Sequence, residues 1–125
     1  MNLKKPDDTF SIYIRMRYAD DNGYVKCATC PTVSHWKQMD CGHLRLRANL
    51  STRWNEHNAA QQCRLCNGSK DGKYGEMARY LIAKFGIDTI EYVISKSRTE
   101  QKPMQYEIDE LTEYYKEKIA NLVDC

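Results

Sequence analysis

Four cysteines in two short pairs, C-A-T-C at 27–30 and C-R-L-C at 63–66, are the residues whose types and spacing point most directly to chemistry. A C-x2-C pair returns two thiolates to one point, so Cys27, Cys30, Cys63 and Cys66 together match the sulfur set of a tetrahedral structural Zn2+ site. A site of that kind can contribute on the order of 10 kcal/mol to folding. Cys41 and Cys125 fall in neither pair and read as free cysteines. A simple zinc ribbon places about 15 to 20 residues between its pairs. The segment from Cys30 to Cys63 is longer and must fold as an element of its own. It contains M-D-C-G-H-L-R-L-R at 39–47, where a histidine is followed by two arginines.

The elements that position these residues can be read more coarsely. With 125 residues, 42% of them hydrophobic, the chain suits one modest domain. The start, MNLKKPDDTF, has no apolar signal region, and no long apolar run follows, so the expectation is a cytoplasmic protein with no membrane contact. Cysteines in that compartment suggest metal rather than disulfides. Net charge is only +2, but its distribution is uneven. Arg45, Arg47, Arg53, Arg64, Lys70, Lys73 and Arg79 make the middle basic, whereas 107–117 is mainly acidic. A basic face of this kind is either solvated surface or a phosphate-binding face.

Near the N-terminus, Asp7, Asp8 and Thr9 offer helix caps before FSIYIRMRY, although the apolar residues there alternate as in a strand. The pattern predicts a helix from Gly75 to Phe85 closed by Gly86, and a second short helix capped by Asp88. Pro103 should open a long helix whose stripe is Met104, Ile108, Leu111, Tyr115, Ile119 and Leu122. Residues 24–72 are too poor in apolar periodicity to hold together by burial alone, which makes the four cysteines their expected clamp. The organisation expected is a single domain over 1–125: an N-terminal helix in 1–23, a zinc-clamped core in 24–72 and a helical tail in 73–125.

The insertion resembles the HNH, or ββα-metal, nucleases, in which a β-hairpin and a following helix are clamped by cysteine knuckles. The residues that carry the resemblance are His43, Asn58 in W-N-E-H-N-A-A-Q-Q-C, and Asn67 directly after the last cysteine of C-R-L-C-N. More narrowly, the order C-x2-C, D-x-G-H, R-W-N-E-H-N, Q-C-x2-C-N and a helical tail is similar to the NinG (Rap) recombination endonucleases of lambda-like phages. The resemblance implies an α+β fold with a treble-clef-like, zinc-clamped ββα-metal core, an N-terminal helix over 8–19 and a C-terminal helical extension. It also implies a phage-encoded enzyme of the bacterial host cytoplasm that cleaves branched DNA, such as D-loops and Holliday junctions.

Phosphodiester hydrolysis needs an activated water and a positive charge beside the departing oxygen, tasks suited to a neutral imidazole and a divalent metal. The resemblance makes His43 the general base and Asn67 a ligand of a catalytic Mg2+ or Mn2+. Many HNH enzymes carry a metal ligand immediately before the catalytic histidine, where this chain has Gly42. Residues two apart on a strand share a face, so Asp40 is the candidate carboxylate, with Gly42 able to permit a bulge. Asn58 is expected to bridge backbone across the hairpin loop and orient His43, or to act as a plain helix cap. Arg45, Arg47, Arg53, Arg64 and Lys70 are the expected DNA-phosphate contacts. Trp36 and Trp54 are expected to pack over the clamp, and His35 and His57 to be structural. Symmetric cutting of a branch would suit a homodimer. The rival expectations are a zinc-stabilised DNA-binding module without catalysis, and an interaction protein whose acidic helix docks a recombination or replication partner.

Overall fold

A computed structural model describes residues 2–69 and 71–123. Helix α1 (Lys4–Met16) precedes a small hairpin of β1 (Tyr24–Lys26) and β2 (Val33–His35), then a short 3-10 turn at Trp36–Gln38. A second hairpin follows, β3 (Asp40–His43) and β4 (Ala59–Gln62), with residues 44–58 as its loop. The one-turn helix α2 (Arg64–Asn67) leads to α3 (Tyr74–Phe85), α4 (Ile87–Ser97) and α5 (Gln105–Val123). Among the described residues this is a small α+β fold of five α-helices and two two-stranded antiparallel sheets. No helix among them is long and apolar enough to cross a membrane.

Helix α1 resolves the ambiguity of FSIYIRMRY. Pro6, Phe10 and Ile14 are buried whereas Ile12 and Met16, which a strand would place on the same face, are only partly so, and the chain there is helical. It starts at Lys4, ahead of the predicted caps, with Pro6 tolerated in the first turn. Asp7, Asp8 and Thr9 are therefore inside the helix, a correction to their reading as caps. Asp88 is also not a cap: Gly86, at φ 92°, precedes α4 and closes α3, leaving Asp88 in the first turn of α4. The stripe on α5 is real at Ile108 and Tyr115, both buried, whereas Met104 precedes the helix and is exposed.

Strand β4 explains the layering. All four of its residues, Ala59, Ala60, Gln61 and Gln62, are buried. Successive side chains point to opposite faces. Ala59 joins Phe10, Ile14, Trp54, Ile108 and Tyr115, in the cluster of α1 and α5. Ala60 joins Leu44, Met77, Leu81 and Ile90, in the cluster of α3 and α4. The β3–β4 hairpin is thus sandwiched between two helical layers, and alanine is small enough for both to approach. A third cluster, of Val25, Cys27, Met39 and Cys66 with Trp36 packed on it, lies at the cysteine pairs.

Candidate metal centres and the hairpin between them

The two C-x2-C segments arrive at one place from different elements. Cys27 and Cys30 lie in the turn between β1 and β2, whereas Cys63 caps the start of α2 and Cys66 lies within it. Their four sulfurs all lie within 4.8 Å of one another. Zn–S bonds of about 2.3 Å in a tetrahedron would put the sulfurs about 3.8 Å apart. Cys30 Sγ and Cys63 Sγ are 3.6 Å apart. Backbone N–H groups already point at the sulfurs: Cys63 N–H and Thr29 N–H donate to Cys27 Sγ at 3.2 and 3.4 Å, and Cys66 N–H to Cys63 Sγ at 3.5 Å. The side-chain and backbone hydrogen bonds of Thr32 bring the Cys30 thiol down to about 6. The donor set fits a zinc ion, and Cys27, Cys30, Cys63 and Cys66 are the residues that would hold it.

Two buried glutamines, which composition and periodicity did not flag, fix this cluster to the hairpin. Gln61 Nε2 donates to the Lys26 carbonyl at 2.9 Å and to Tyr80 Oη at 3.1 Å. Gln62 Nε2 donates to Thr29 Oγ1 at 3.0 Å and to the Gly72 carbonyl at 2.9 Å. The only advance sign was two adjacent amides with no polar partner in sequence, directly before a cysteine pair.

On β3, Asp40 pairs with Gln62, Gly42 with Ala60 and His43 with Ala59, in regular antiparallel register. Gly42 makes no bulge, which corrects that expectation. Its role is space: a Cβ on Gly42 would overlap the Gln62 carboxamide, which its two hydrogen bonds hold in place. The pleat sets Asp40 and Gly42 on one face and His43 on the other. Asn67 Nδ2 donates to Asp40 Oδ2 at 3.1 Å, and Arg64 Nε stands 3.7 Å from Asp40 Oδ1. The structure therefore brings Asp40, Asn67 and Arg64 together, with His43 three residues further along the strand.

His43 is half-buried, with its ring 5.9 Å from that of Phe10. Nε2 is 3.0 Å from the Arg53 carbonyl, an acceptor, so Nε2 carries the proton and the lone pair is on Nδ1. Burial lowers the His43 pKa below the ordinary imidazole value, against the opposing pull of that carbonyl. Asn58, fully buried, straps the loop: its Oδ1 accepts from Arg45 N–H at 2.8 Å and its Nδ2 donates to the Thr52 carbonyl at 3.0 Å. It sits directly before β4, and the loop it straps carries Arg53, the partner of His43. Cys41 is partly buried, and desolvation pushes its thiol up to about 12.

The arginines do not form one free set. Arg53 gives Nε to Asp7 Oδ1 at 2.9 Å and Nη2 to Asp7 Oδ2 at 2.5 Å, and its side chain is only 14% exposed. Arg47 Nη2 and Trp54 Nε1 also bond Asp7, at 2.8 and 2.9 Å. The fork of Arg53, expected to contact phosphate, is thus engaged by a carboxylate from α1. Arg45 Nε donates to Ser97 Oγ at 3.0 Å. Arg47 and Arg64 remain largely exposed. Lys70 and Cys125 lie outside the described residues. Asp7 was missed as a site residue because its place in the sequence resembled a cap. Trp54 packs beside Phe10 and Ala59 rather than over the cysteines, whereas Trp36 does pack near them. The His57 ring packs at a tilt of 58° against that of Phe85, and His35 covers Gly23, where φ is 85°.

Similarity to known proteins extends along nearly the whole chain. The family described as "Bacteriophage Lambda NinG protein" matches residues 3–124. Protein ninG of Escherichia phage lambda is 26% identical over 121 residues, which cover 96% of this chain and 56% of the relative. Protein ninG of Salmonella phage P22 is 27% identical over 123 residues, covering 98% and 58%. That of Escherichia phage 933W is 26% identical, covering 96% and 57%. The chain thus spans little more than half the length of these relatives. No solved structure matches it.

Proposed function

The chain belongs to the NinG family, and from that premise we propose that it is a metal-dependent DNA endonuclease of the HNH type, acting on branched recombination intermediates in the host cytoplasm. The observation that carries this reading is the meeting of Asp40 and Asn67 beside Arg64, at the junction of β3 and α2. On this reading β3, β4 and α2 are the ββα-metal unit and the four cysteines are its structural zinc clamp.

Asp40 offers a carboxylate oxygen, and a half-turn of the Asn67 amide would place Oδ1 beside it, so these two residues would hold Mg2+ or Mn2+. Such an ion, when bound, supplies positive charge for the departing 3′ oxygen. His43 accepts the proton of the attacking water at Nδ1, since the Arg53 carbonyl occupies Nε2–H. Asn58 keeps the loop, and with it that carbonyl, in register. Arg64 and Arg47 hold phosphates, and Arg45 does so on releasing Ser97. Asp40 and His43 face opposite sides of β3, so the scissile phosphate must lie along the edge of β3 that β4 leaves unpaired.

Incubating the protein with labelled linear, flapped and four-way DNA, with and without added magnesium or manganese, tests this reading. Metal-dependent cutting of branched DNA supports it, and DNA binding without cutting supports the second one. That second reading, a zinc-stabilised DNA-binding module, draws on the Gln62 carboxamide packed over Gly42, at the position where a metal ligand would otherwise stand.

A further inference from the structure

We propose that Leu65 is a wedge that enters the base stack of DNA beside the site formed by Asp40 and Asn67. The inference rests on the nuclease reading and adds to it the feature of the substrate that is selected: a base step already loosened, as at a branch point. Leu65 is 86% exposed, the most exposed large hydrophobic residue among those described. A single exposed leucine is ordinary on a protein surface. The setting of this one is not, because it projects from a one-turn helix that is tied down at both ends.

Cys63 and Cys66, on either side of it, belong to the four-sulfur cluster. The backbone of α2 is closed by Asn67 N–H to the Cys63 carbonyl at 2.9 Å and Gly68 N–H to the Arg64 carbonyl at 2.8 Å. The side chain is therefore presented on a rigid support without apolar cover of its own. Its neighbour Arg64 is 75% exposed at the side chain and reaches toward Asp40. Arg64 and Asn67, three apart, share the side of α2 that meets β3, while Leu65 turns away by about 100°. A cation for phosphate and an apolar side chain for bases thus stand next to each other at the rim of the candidate site. Leucine inserted between base steps is a known way of kinking DNA, and unstacking costs least where bases are already mispaired or branched. A fixed wedge would convert that difference into preference for branched DNA without any base-reading contact.

The test uses a four-way junction with 2-aminopurine at the branch, in calcium, so that binding is read without cutting. Wild-type protein should raise the fluorescence on binding. Leu65→Ala and Leu65→Ser should bind nearly as tightly and lose the rise, and Leu65→Met should keep it, with zinc content and circular dichroism checked for each. Ile87→Ala, an exposed apolar change on α4, should behave as wild type. An undiminished rise with both Leu65→Ala and Leu65→Ser overturns the proposal. Wild-type binding and magnesium-dependent cutting with no rise overturn the wedge and leave the nuclease reading standing. A Leu65-dependent rise with no cutting in magnesium supports the wedge and removes the nuclease reading. Absence of wild-type binding overturns both.

Discussion

Asn67 donates its amide to the Asp40 carboxylate across 3.1 Å, joining the residue after the second cysteine pair to the first residue of β3. The pairing ties the candidate catalytic metal site to the cysteine cluster, since α2 holds Cys66 and Asn67 on successive positions. Asp40→Asn removes the only carboxylate of the pair. The expected result is a weaker apparent affinity for manganese, with part of the rate regained at high metal. An unchanged metal titration would return Asp40 to a structural role.

The cysteine cluster should hold about one zinc per chain in protein purified without chelator. Cys27→Ser or Cys66→Ser should abolish the cooperative melting transition, because a structural zinc site contributes on the order of 10 kcal/mol. A zinc-free preparation that melts like the native protein would contradict the clamp.

Asp7 links α1 to the hairpin loop through Arg53, Arg47 and Trp54. Burial would raise its carboxyl, but the Arg53 and Trp54 hydrogen bonds and the two guanidinium charges hold it below the usual carboxylate range. The sign follows: its contribution to stability is present above the unfolded value of about 3.9 and is lost as pH falls through the folded one. Asp7→Asn should lower stability by about 1 to 3 kcal/mol near neutral pH, read by urea denaturation, and should flatten the acid limb.

Gly42→Ala places a methyl group where the Gln62 carboxamide lies. Gln62 cannot move without leaving Thr29 and the Gly72 carbonyl, so the change should cost about 1 to 3 kcal/mol by overpacking. The pair Gly42→Ala with Gln62→Ala should cost less than the sum of the two single changes. Additive losses would mean that the two residues do not share that space.

The tail helices were legible because Met77, Leu81, Ile90, Val93, Ile108 and Tyr115 keep helical spacing and are buried. Helix α1 was ambiguous for a physical reason: its partly buried Ile12 and Met16 add an alternating pattern to the deeper stripe of Pro6, Phe10 and Ile14. The four cysteines were legible because short spacing alone brings each pair together. Gln61, Gln62 and Asp7 were not, since a buried polar residue is recognised by its partners, and these come from segments 10 to 47 residues away. The engagement of the Arg53 fork was hidden for the same reason, its partner Asp7 lying 46 residues away.

The most direct measurement of the central claim is His43→Ala assayed on a labelled four-way junction, with binding followed in parallel. The depressed pKa keeps the ring neutral below the ordinary value of about 6.5, so wild-type activity should persist under mildly acidic conditions and fall only as the ring protonates. The variant should retain zinc and DNA affinity while its cutting rate drops by about 10² to 10⁴, with no rescue by added metal. Wild-type cutting retained by His43→Ala would contradict the account.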